Sequence, residues 1–300
     1  MTVADGGPEV DADEVKRAVA VFGELRPRLF GIAYRMLGSV TEAEDLVQDV
    51  WLRWQGTDRR AVLNPAAYLA TTATRLAINA TQTARARRET YVGPWLPEPV
   101  DTGADPYLGA ERAEALELAV LLLMERLSPN ERAAYVLREA FDYPYPQIAD
   151  ILALTEAAVR QLVSRARKHV AAERRIPVAA AEQRKLLAAF VNAARSGDLA
   201  ALEDLFAANV TSLADSGGVV RAASRTPVVG AARVAKVVRA FASHFWIGVD
   251  VQWASANGQA SALLSRDGDV FAVLTVTASA EGIDQVLWMM NPAKITALST

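Results

Sequence analysis

Apolar residues recur at helical spacing from Asp13 onward. Val19, Phe22, Leu25, Leu29, Ile32, Ala33, Met36 and Leu37 share one face of a first helix. Gly38-Ser39-Val40 interrupts the run. Thr41 then reads as the N-cap of a second helix, with Glu44 three residues on in a capping-box pattern. That helix extends to Gln55 and buries Ala43, Leu46, Val47 and Val50, with Trp51 and Trp54 as further core candidates. After a connector from Gly56 to Leu63, Asn64-Pro65 supplies a cap with proline in the first turn. The third helix runs from Ala66 to about Arg88, with Tyr68, Leu69, Thr72, Leu76 and Ile78 as its apolar side. Residues 91–109 contain four prolines and three glycines and read as a linker.

Helical pattern resumes at Ala110 and runs to Leu127. Ser128-Pro129 with Glu131 starts the next helix, which ends at Phe141-Asp142-Tyr143-Pro144. Helices Tyr145–Leu152 and Glu156–Arg174 follow, joined by Ala153-Leu154-Thr155, and Ile176-Pro177 marks a second boundary. Beyond it the period changes. Residues 181–208 read as two helices, and strand-like runs follow at 219–229, 246–256, 261–279 and 282–292. Asn257-Gly258 and Asp267-Gly268 are hairpin turn signals. Helices followed by long strands make this segment an α+β domain.

Composition narrows the function classes. The chain has 300 residues, 52% hydrophobic and 22% charged, enough for a sizeable core and for two or three domains. It has no cysteine, which excludes disulfides, thiolate catalysis and cysteine-based metal sites. His169 and His244 are its two histidines, too few for a histidine metal cage, so no metal or cofactor is expected. The polar, acidic start is unlike a signal peptide, and no run reaches the roughly 18 apolar residues of a membrane span. A cytoplasmic location is the expectation.

The net charge of -3 hides an alternation. Glu42, Glu44, Asp45 and Asp49 fall within one short acidic stretch. Arg75, Arg85, Arg87 and Arg88 against Glu89 give +3, and residues 156–175 carry +4. Acidic and basic surfaces on one chain suggest one protein partner and one nucleic-acid partner. Residues 145–169 fit a helix-turn-helix. Ala149 is small where the helices cross, Val159 and Leu162 anchor the second helix, and Thr155 sits at its N-cap. Arg160, Ser164, Arg165, Arg167 and Lys168 then form an outward face suited to phosphates and guanine edges. Ala153 stands where such turns often use glycine. A helical hairpin with a solvated basic face is the plainer alternative.

The stretch FGELRPRLFGIAYRMLGSVTEAEDLVQDVWLRW resembles region 2 of the extracytoplasmic-function (group 4) sigma-70-type RNA polymerase sigma factors. NPAAYLATTATRLAINATQTARARRE is similar to their promoter-melting and -10-reading helix. LSPNERAAYVLREAFDYPYPQIADILALTEAAVRQLVSRARKHV is similar to their region 4, which reads the -35 element. The C-terminal 120 or so residues resemble a SnoaL-like (NTF2-like) cone carried by one subgroup, whose short signatures match WLPEP (Trp95–Pro99) and NPAKI (Asn291–Ile295). Where that subgroup has a glycine-rich Asp-Gly-Gly-like turn, this chain departs from it with Asp215-Ser216-Gly217-Gly218.

The resemblance implies a multidomain protein: sigma region 2 at 13–90, a linker at 91–109, region 4 at 110–175 and a SnoaL-like regulatory domain at 180–300. Its partners would be the β′ and β subunits of RNA polymerase core and promoter DNA. Asp45, Gln48, Asp49 and Leu52, spaced three and four apart on one stripe, would dock the β′ coiled coil. Strand separation needs groups that hold extruded bases and grip the backbone, and here Arg59, Arg60, Arg75, Asn79, Arg85, Arg87 and Arg88 would serve the -10 region. Trp51 and Trp54 could stack on bases or belong to the core. Trp95, Leu96, Pro97, Asp215, Asn291 and Pro292 would make regulatory contacts that pack the third domain on the other two and hide functional surface. Asp215, His244, Asp250 and Asp284 are the acid–base candidates of the cone, at spacings that demand no catalysis. An unidentified small ligand in the cone remains open. Two competitors stand beside this reading: a ligand-sensing one-component DNA-binding regulator, and an enzyme with a helical accessory.

Overall fold

The computed structural model describes residues 12–102, 117–173, 175–220 and 223–295. The second part of the expected linker, the expected helix turns before Glu117, and Arg174 lie outside the described residues. Three helices open the chain: α1 (Ala12–Leu37), α2 (Val40–Gln55) and α3 (Pro65–Glu89). The cap of α2 is Ser39, not Thr41. The Ser39 hydroxyl accepts from the Glu42 amide at 3.2 Å. The Glu98 carboxylate reaches in from the linker and accepts from the Val40 amide at 2.7 Å. A carboxylate at a helix N-terminus satisfies free amides and complements the dipole, so the helix can start two residues earlier than local sequence suggests.

Asn64 caps α3 through the Ala67 amide at 3.0 Å, with Pro65 in the first turn. The buried side of α3 is Leu69, Ala70, Ala73, Thr74, Ala77, Thr81 and Ala84, whereas Tyr68, Thr72, Leu76 and Ile78 are half-buried. The small side chains let α3 approach its neighbours closely. The Thr74 and Thr81 hydroxyls donate to the carbonyls of Ala70 and Ala77, which hides their polarity inside the helix. Trp54 is buried and donates its indole N–H to the Ala18 carbonyl at 3.2 Å; Trp51 packs on Phe22 with ring centres 4.9 Å apart.

The second helical unit comprises α4 (Leu118–Met124), α5 (Pro129–Tyr135), a π turn (Val136–Ala140), α6 (Tyr145–Leu152) and α7 (Glu156–Glu173). Ser128 and Glu131 form a reciprocal capping box on α5. Between α6 and α7, Ala153 takes the left-handed conformation (φ 54°), so the turn forms without glycine. The Thr155 hydroxyl accepts from the Ala158 amide at 3.2 Å, and Ala149, Val159 and Leu162 are buried as a helix-turn-helix requires. The two helical units share one continuous apolar core that runs from Ala18 through Leu69 and Leu137 to Ala166.

The last unit begins with α8 (Ala180–Ser196) and α9 (Leu199–Leu205). Its strands are β1 (Phe206–Asp215), β2 (Val228–Val229), β3 (Asp250–Ala256), β4 (Gln259–Arg266), β5 (Asp269–Ser279) and β6 (Gly282–Met289). They form one sheet in the order β2-β1-β6-β5-β4-β3, with β1 and β6 parallel. Asn257-Gly258 and Asp267-Gly268 turn the β3–β4 and β4–β5 hairpins with positive φ at all four residues. The run 219–229 is not a strand as expected. Among its described residues Val228 and Val229 alone pair, and Pro227, which has no N–H to donate, precedes them. A helix absent from the sequence expectation, α10 (Ala231–Phe245), follows with Val234, Ala235 and Val238 inward. Pro292–Ile295 closes the described chain as α11. One sheet face packs on α8 and α10. The other, carrying Leu263, Val273, Leu287 and Met289, receives Leu96 of the linker, Leu118 of α4 and Ile295.

Candidate functional site

The residues expected to make regulatory contacts converge on one cluster. Asp215, at the end of β1, is fully buried. One of its carboxylate oxygens accepts from the Leu96 amide at 2.8 Å and from Lys294 Nζ at 2.8 Å. The other accepts from the Tyr91 hydroxyl at 2.5 Å and the Gly217 amide at 3.2 Å. Asn291 donates to the Tyr91 hydroxyl at 2.8 Å, and Lys294 also donates to the Leu96 carbonyl at 2.7 Å. Pro292 opens the short helix that carries Lys294 inward. Burial lowers the Lys294 pKa and Asp215 opposes that shift; burial, then the bond to Asp215, raises Tyr91. Every oxygen lone pair that burial would have stripped of water thus finds a donor, which is the condition for keeping a charge pair inside a protein.

Glycine permits the close approach at two points. At Gly217 (φ +58°) a Cβ would stand 2.8 Å from the Asn291 amide nitrogen, and at Gly38 (φ +67°) it would stand 2.7 Å from the Trp95 ring. Trp95 meets two cations, with the Arg88 guanidinium 3.7 Å and Lys294 Nζ 4.4 Å from its ring centre. Leu96 and Pro97 are buried. A second contact lies beside the first. Asn257, on the β3–β4 turn, donates to the Tyr34 hydroxyl at 2.7 Å, accepts from the Val100 amide at 3.0 Å, and its own amide donates to the Val100 carbonyl at 2.9 Å. Tyr34 donates in turn to the Glu98 carbonyl at 2.6 Å. From sequence, Tyr34, Glu98, Tyr91 and Lys294 are not named as contact residues, and Asn257 is named only for its turn. Glu98 and Lys294 do stand inside the WLPEP and NPAKI signatures, whereas Tyr34 carried no signal beyond a helical position.

The polar surfaces divide into open and engaged groups. Asp45, Gln48, Asp49 and Leu52 form an exposed stripe on α2, with Leu52 55% exposed. Asn79 and Arg85 are exposed on α3, while Arg87 is paired with Glu42 at 2.7 Å. Arg59 bonds the carbonyls of Trp54 and Gln55 and pairs with Glu14 at 3.4 Å; Arg60 reaches the same carboxylate at 3.5 Å. Arg75 and Arg88 turn toward the second helical unit, Arg75 from an exposed position and Arg88 half-buried. Arg75 donates to the Ile151 carbonyl at 3.0 Å and the Asp150 carbonyl at 3.4 Å, at the end of α6. Arg88 pairs with Glu125 and donates to the Leu37 carbonyl; burial, with Arg132 alongside, takes its pKa down to about 9, so it stays charged at neutral pH. Arg132 joins the same Glu125 and donates to the Arg35 carbonyl at 2.9 Å.

On α7, Arg160, Ser164, Arg165, Arg167 and Lys168 are all exposed, and the three arginines pair with Glu156, Glu131 and Glu139 at 3.3, 2.8 and 2.8 Å. The acid–base candidates of the last unit do not assemble. Asp215 belongs to the linker cluster, His244 and Asp250 are exposed, and Asp284 pairs with Arg175 at 3.0 Å. Among the described residues no group of three metal-ligating side chains occurs, and no helix is long and apolar enough to cross a membrane.

Known proteins match this arrangement. The family model for sigma-70 region 2 matches residues 21–88, and that for sigma-70 region 4 matches 117–170. The ECF RNA polymerase sigma factor SigJ of Mycobacterium tuberculosis (strain ATCC 25618 / H37Rv) is 36% identical over 292 residues, which covers 93% of this chain and 93% of the relative. The probable ECF RNA polymerase sigma factor SigI of Mycobacterium tuberculosis (strain CDC 1551 / Oshkosh) is 28% identical over 277 residues, covering 91% and 93%. The crystal structure of the Mycobacterium tuberculosis extracytoplasmic function sigma factor SigJ superimposes with a TM-score of 0.74 at 31% identity, covering 93% of this chain and 98% of that one.

Proposed function

Because the chain belongs to the ECF RNA polymerase sigma factors, which bind core polymerase and promoter DNA to start transcription, we propose that the described arrangement is its closed, free form, held by the C-terminal unit. In this reading the exposed stripe Asp45, Gln48, Asp49 and Leu52 meets the β′ subunit first. Acidic side chains there add on-rate and register against a basic partner surface. Arg59, Arg60, Asn79, Arg85 and Arg87 serve the -10 region. Arg160, Ser164, Arg165, Arg167 and Lys168 serve the -35 element by exchanging carboxylate partners for phosphates and base edges.

The observation that carries the proposal is that Arg75 and Arg88 bond to groups of the protein itself. Both sit on the helix that would read the -10 region, and both are spent on the second helical unit. Two DNA-reading units that share one core cannot lie on two separate promoter elements until that core divides. The linker cluster around Asp215 and the Asn257 contact fix the linker, and so fix how far the two units can move apart. No step of this reading is catalytic, and the scatter of Asp215, His244, Asp250 and Asp284 fits that. A cytoplasmic location follows from the proposed partners.

The test uses the absence of native cysteine. Dyes placed at Gln82→Cys on α3 and Gln161→Cys on α7, both exposed positions, report the distance between the two DNA-reading surfaces. Core polymerase with promoter DNA should lengthen it, and run-off transcripts should depend on the added chain. An unchanged distance in an active holoenzyme would overturn the closed-form reading. Operator binding by the pure chain would favour a one-component regulator.

A further inference from the structure

A cleft of about 390 Å³ lies between α4, the connector ahead of α8 and the sheet face that meets the helical units. Its floor is a single rung of the sheet. Thr277 on β5 is directly opposite Gln285 on β6, and Gln285 is directly opposite Thr211 on β1. Ser261 on β4 pairs with Thr275 on β5, and the same antiparallel register places Gln259 opposite Thr277. Directly opposed residues share a face. Gln259, Thr277, Gln285 and Thr211 therefore form a polar row across four adjacent strands, and all four line the cleft with Asn209.

The five side chains make no hydrogen bond to any described residue, and the side-chain oxygens of Gln259 and Gln285 are buried without a partner. A buried amide oxygen without a donor costs about 1–3 kcal/mol. Both glutamines line the cleft although their oxygens are covered, so it is the polar row as a whole that offers donors and acceptors to a ligand. Neighbouring polar groups are already used: Gln183 donates to the carbonyls of Ala260 and Val276 at 3.0 and 2.9 Å. Asp284 at the rim is held by Arg175 and the Ser279 hydroxyl.

We propose that this cleft binds a neutral, polyhydroxylated small molecule of monosaccharide or cyclitol size. The open positions are amides and hydroxyls, which both donate and accept, so a ligand with several hydroxyls satisfies them without bringing a charge. The rim aspartate pairs with Arg175, which Glu281 shares. Among the described residues that line the cleft none is aromatic, while Leu123, Pro177 and Val178 offer a small apolar wall for the C–H face of a saturated ring. The volume lies within the usual range for small-molecule sites, about 300–1,000 Å³. Because α4 belongs to the helical part and the row to the sheet, a bound ligand touches both units at once.

Binding is read directly, so its failure is separate from failure of the closed-form proposal. The full chain is titrated by calorimetry and ligand-observed NMR with D-glucose, D-galactose and myo-inositol, and with putrescine and glucose 6-phosphate as charged counterparts. At least one neutral probe should bind with a Kd below about 1 mM. Gln285→Leu and the near-isosteric Thr277→Val should each weaken it about tenfold or more without lowering the melting midpoint. Absence of binding by every neutral probe, binding by charged probes alone, or binding that survives both substitutions overturns the proposal. If Gln285→Leu does not fold, Thr277→Val decides alone.

Discussion

The side-chain amide of Asn257 donates to the hydroxyl of Tyr34 at 2.7 Å across 223 positions of chain. Both side chains are fully buried. Asn257 sits at φ +53°, a conformation asparagine tolerates better than most residues, so one residue turns the β3–β4 hairpin and ties the sheet to α1 and the linker.

Asn257→Ala should therefore cost more than a surface turn substitution. It leaves the Tyr34 hydroxyl short of a partner, strips the Val100 amide of its acceptor and puts alanine in the left-handed region. The expected loss is about 2–4 kcal/mol, read from urea unfolding at equilibrium. A loss within about 0.5 kcal/mol, the ordinary surface value, would show that the contact does not hold the units together.

Removing one member of the Asp215–Lys294 pair should destabilise the chain by about 3–5 kcal/mol, because Lys294→Met strands a buried carboxylate. The double substitution Asp215→Leu with Lys294→Met should cost less than the sum of the two single changes. Strict additivity in the double-mutant cycle would mean that the two charges do not act as a pair. Limited proteolysis of the linker around Trp95 should accelerate in the single variants.

Glu125→Gln offers a way to loosen the helical units without touching a DNA contact. Arg88 and Arg132 both lose their counter-charge. Amides at the α3–α5 contact should then exchange with solvent faster, and the Gln82–Gln161 distance distribution should broaden in the free chain. Unchanged exchange would place the strength of the contact in the apolar core alone.

Reversing the acidic stripe with the pair Asp45→Lys and Asp49→Lys should weaken binding to core polymerase at least about tenfold at low salt, with a smaller effect at high salt. Thermal stability should not change, since both positions are exposed. Equal core binding by the variant would move the docking surface elsewhere.

Alkaline pH should unfasten the interfaces. Burial raises the pKa of Tyr34 and of Tyr91 above the ordinary tyrosine value of about 10. The folded state then keeps protons that the unfolded state releases. The contribution is whole below about pH 10 and declines as pH rises past it. Urea midpoints measured upward from pH 8 should fall above pH 10, and Tyr34→Phe should flatten the decline. A midpoint that rises across that window would contradict the assignment.

The sequence by itself determined the local elements and the family. Helical spacing in α1 to α3, the Asn64-Pro65 start, the Ser128–Glu131 box, the Val159 and Leu162 anchors and the Asn257-Gly258 and Asp267-Gly268 turns all act over a few residues, so their signals survive in one dimension. The linker and C-terminal signatures also hold residues that the fold brings together around Asp215. Long-range partners moved the rest. The cap of α2 shifted to Ser39 because Glu98 arrives from the linker. The small-residue face of α3 was buried because close helix approach favours alanine over bulk. Pro227 cut the expected 219–229 strand to two residues, and α10 formed where its inward valines meet the sheet. Arg75 and Arg88 look like phosphate ligands in the sequence and lie on carbonyls and a carboxylate in the fold. Charge alone names what a side chain can bind. Which partner it takes is decided by what the packed core brings within 3 Å or so of it, and that is a property of the tertiary structure.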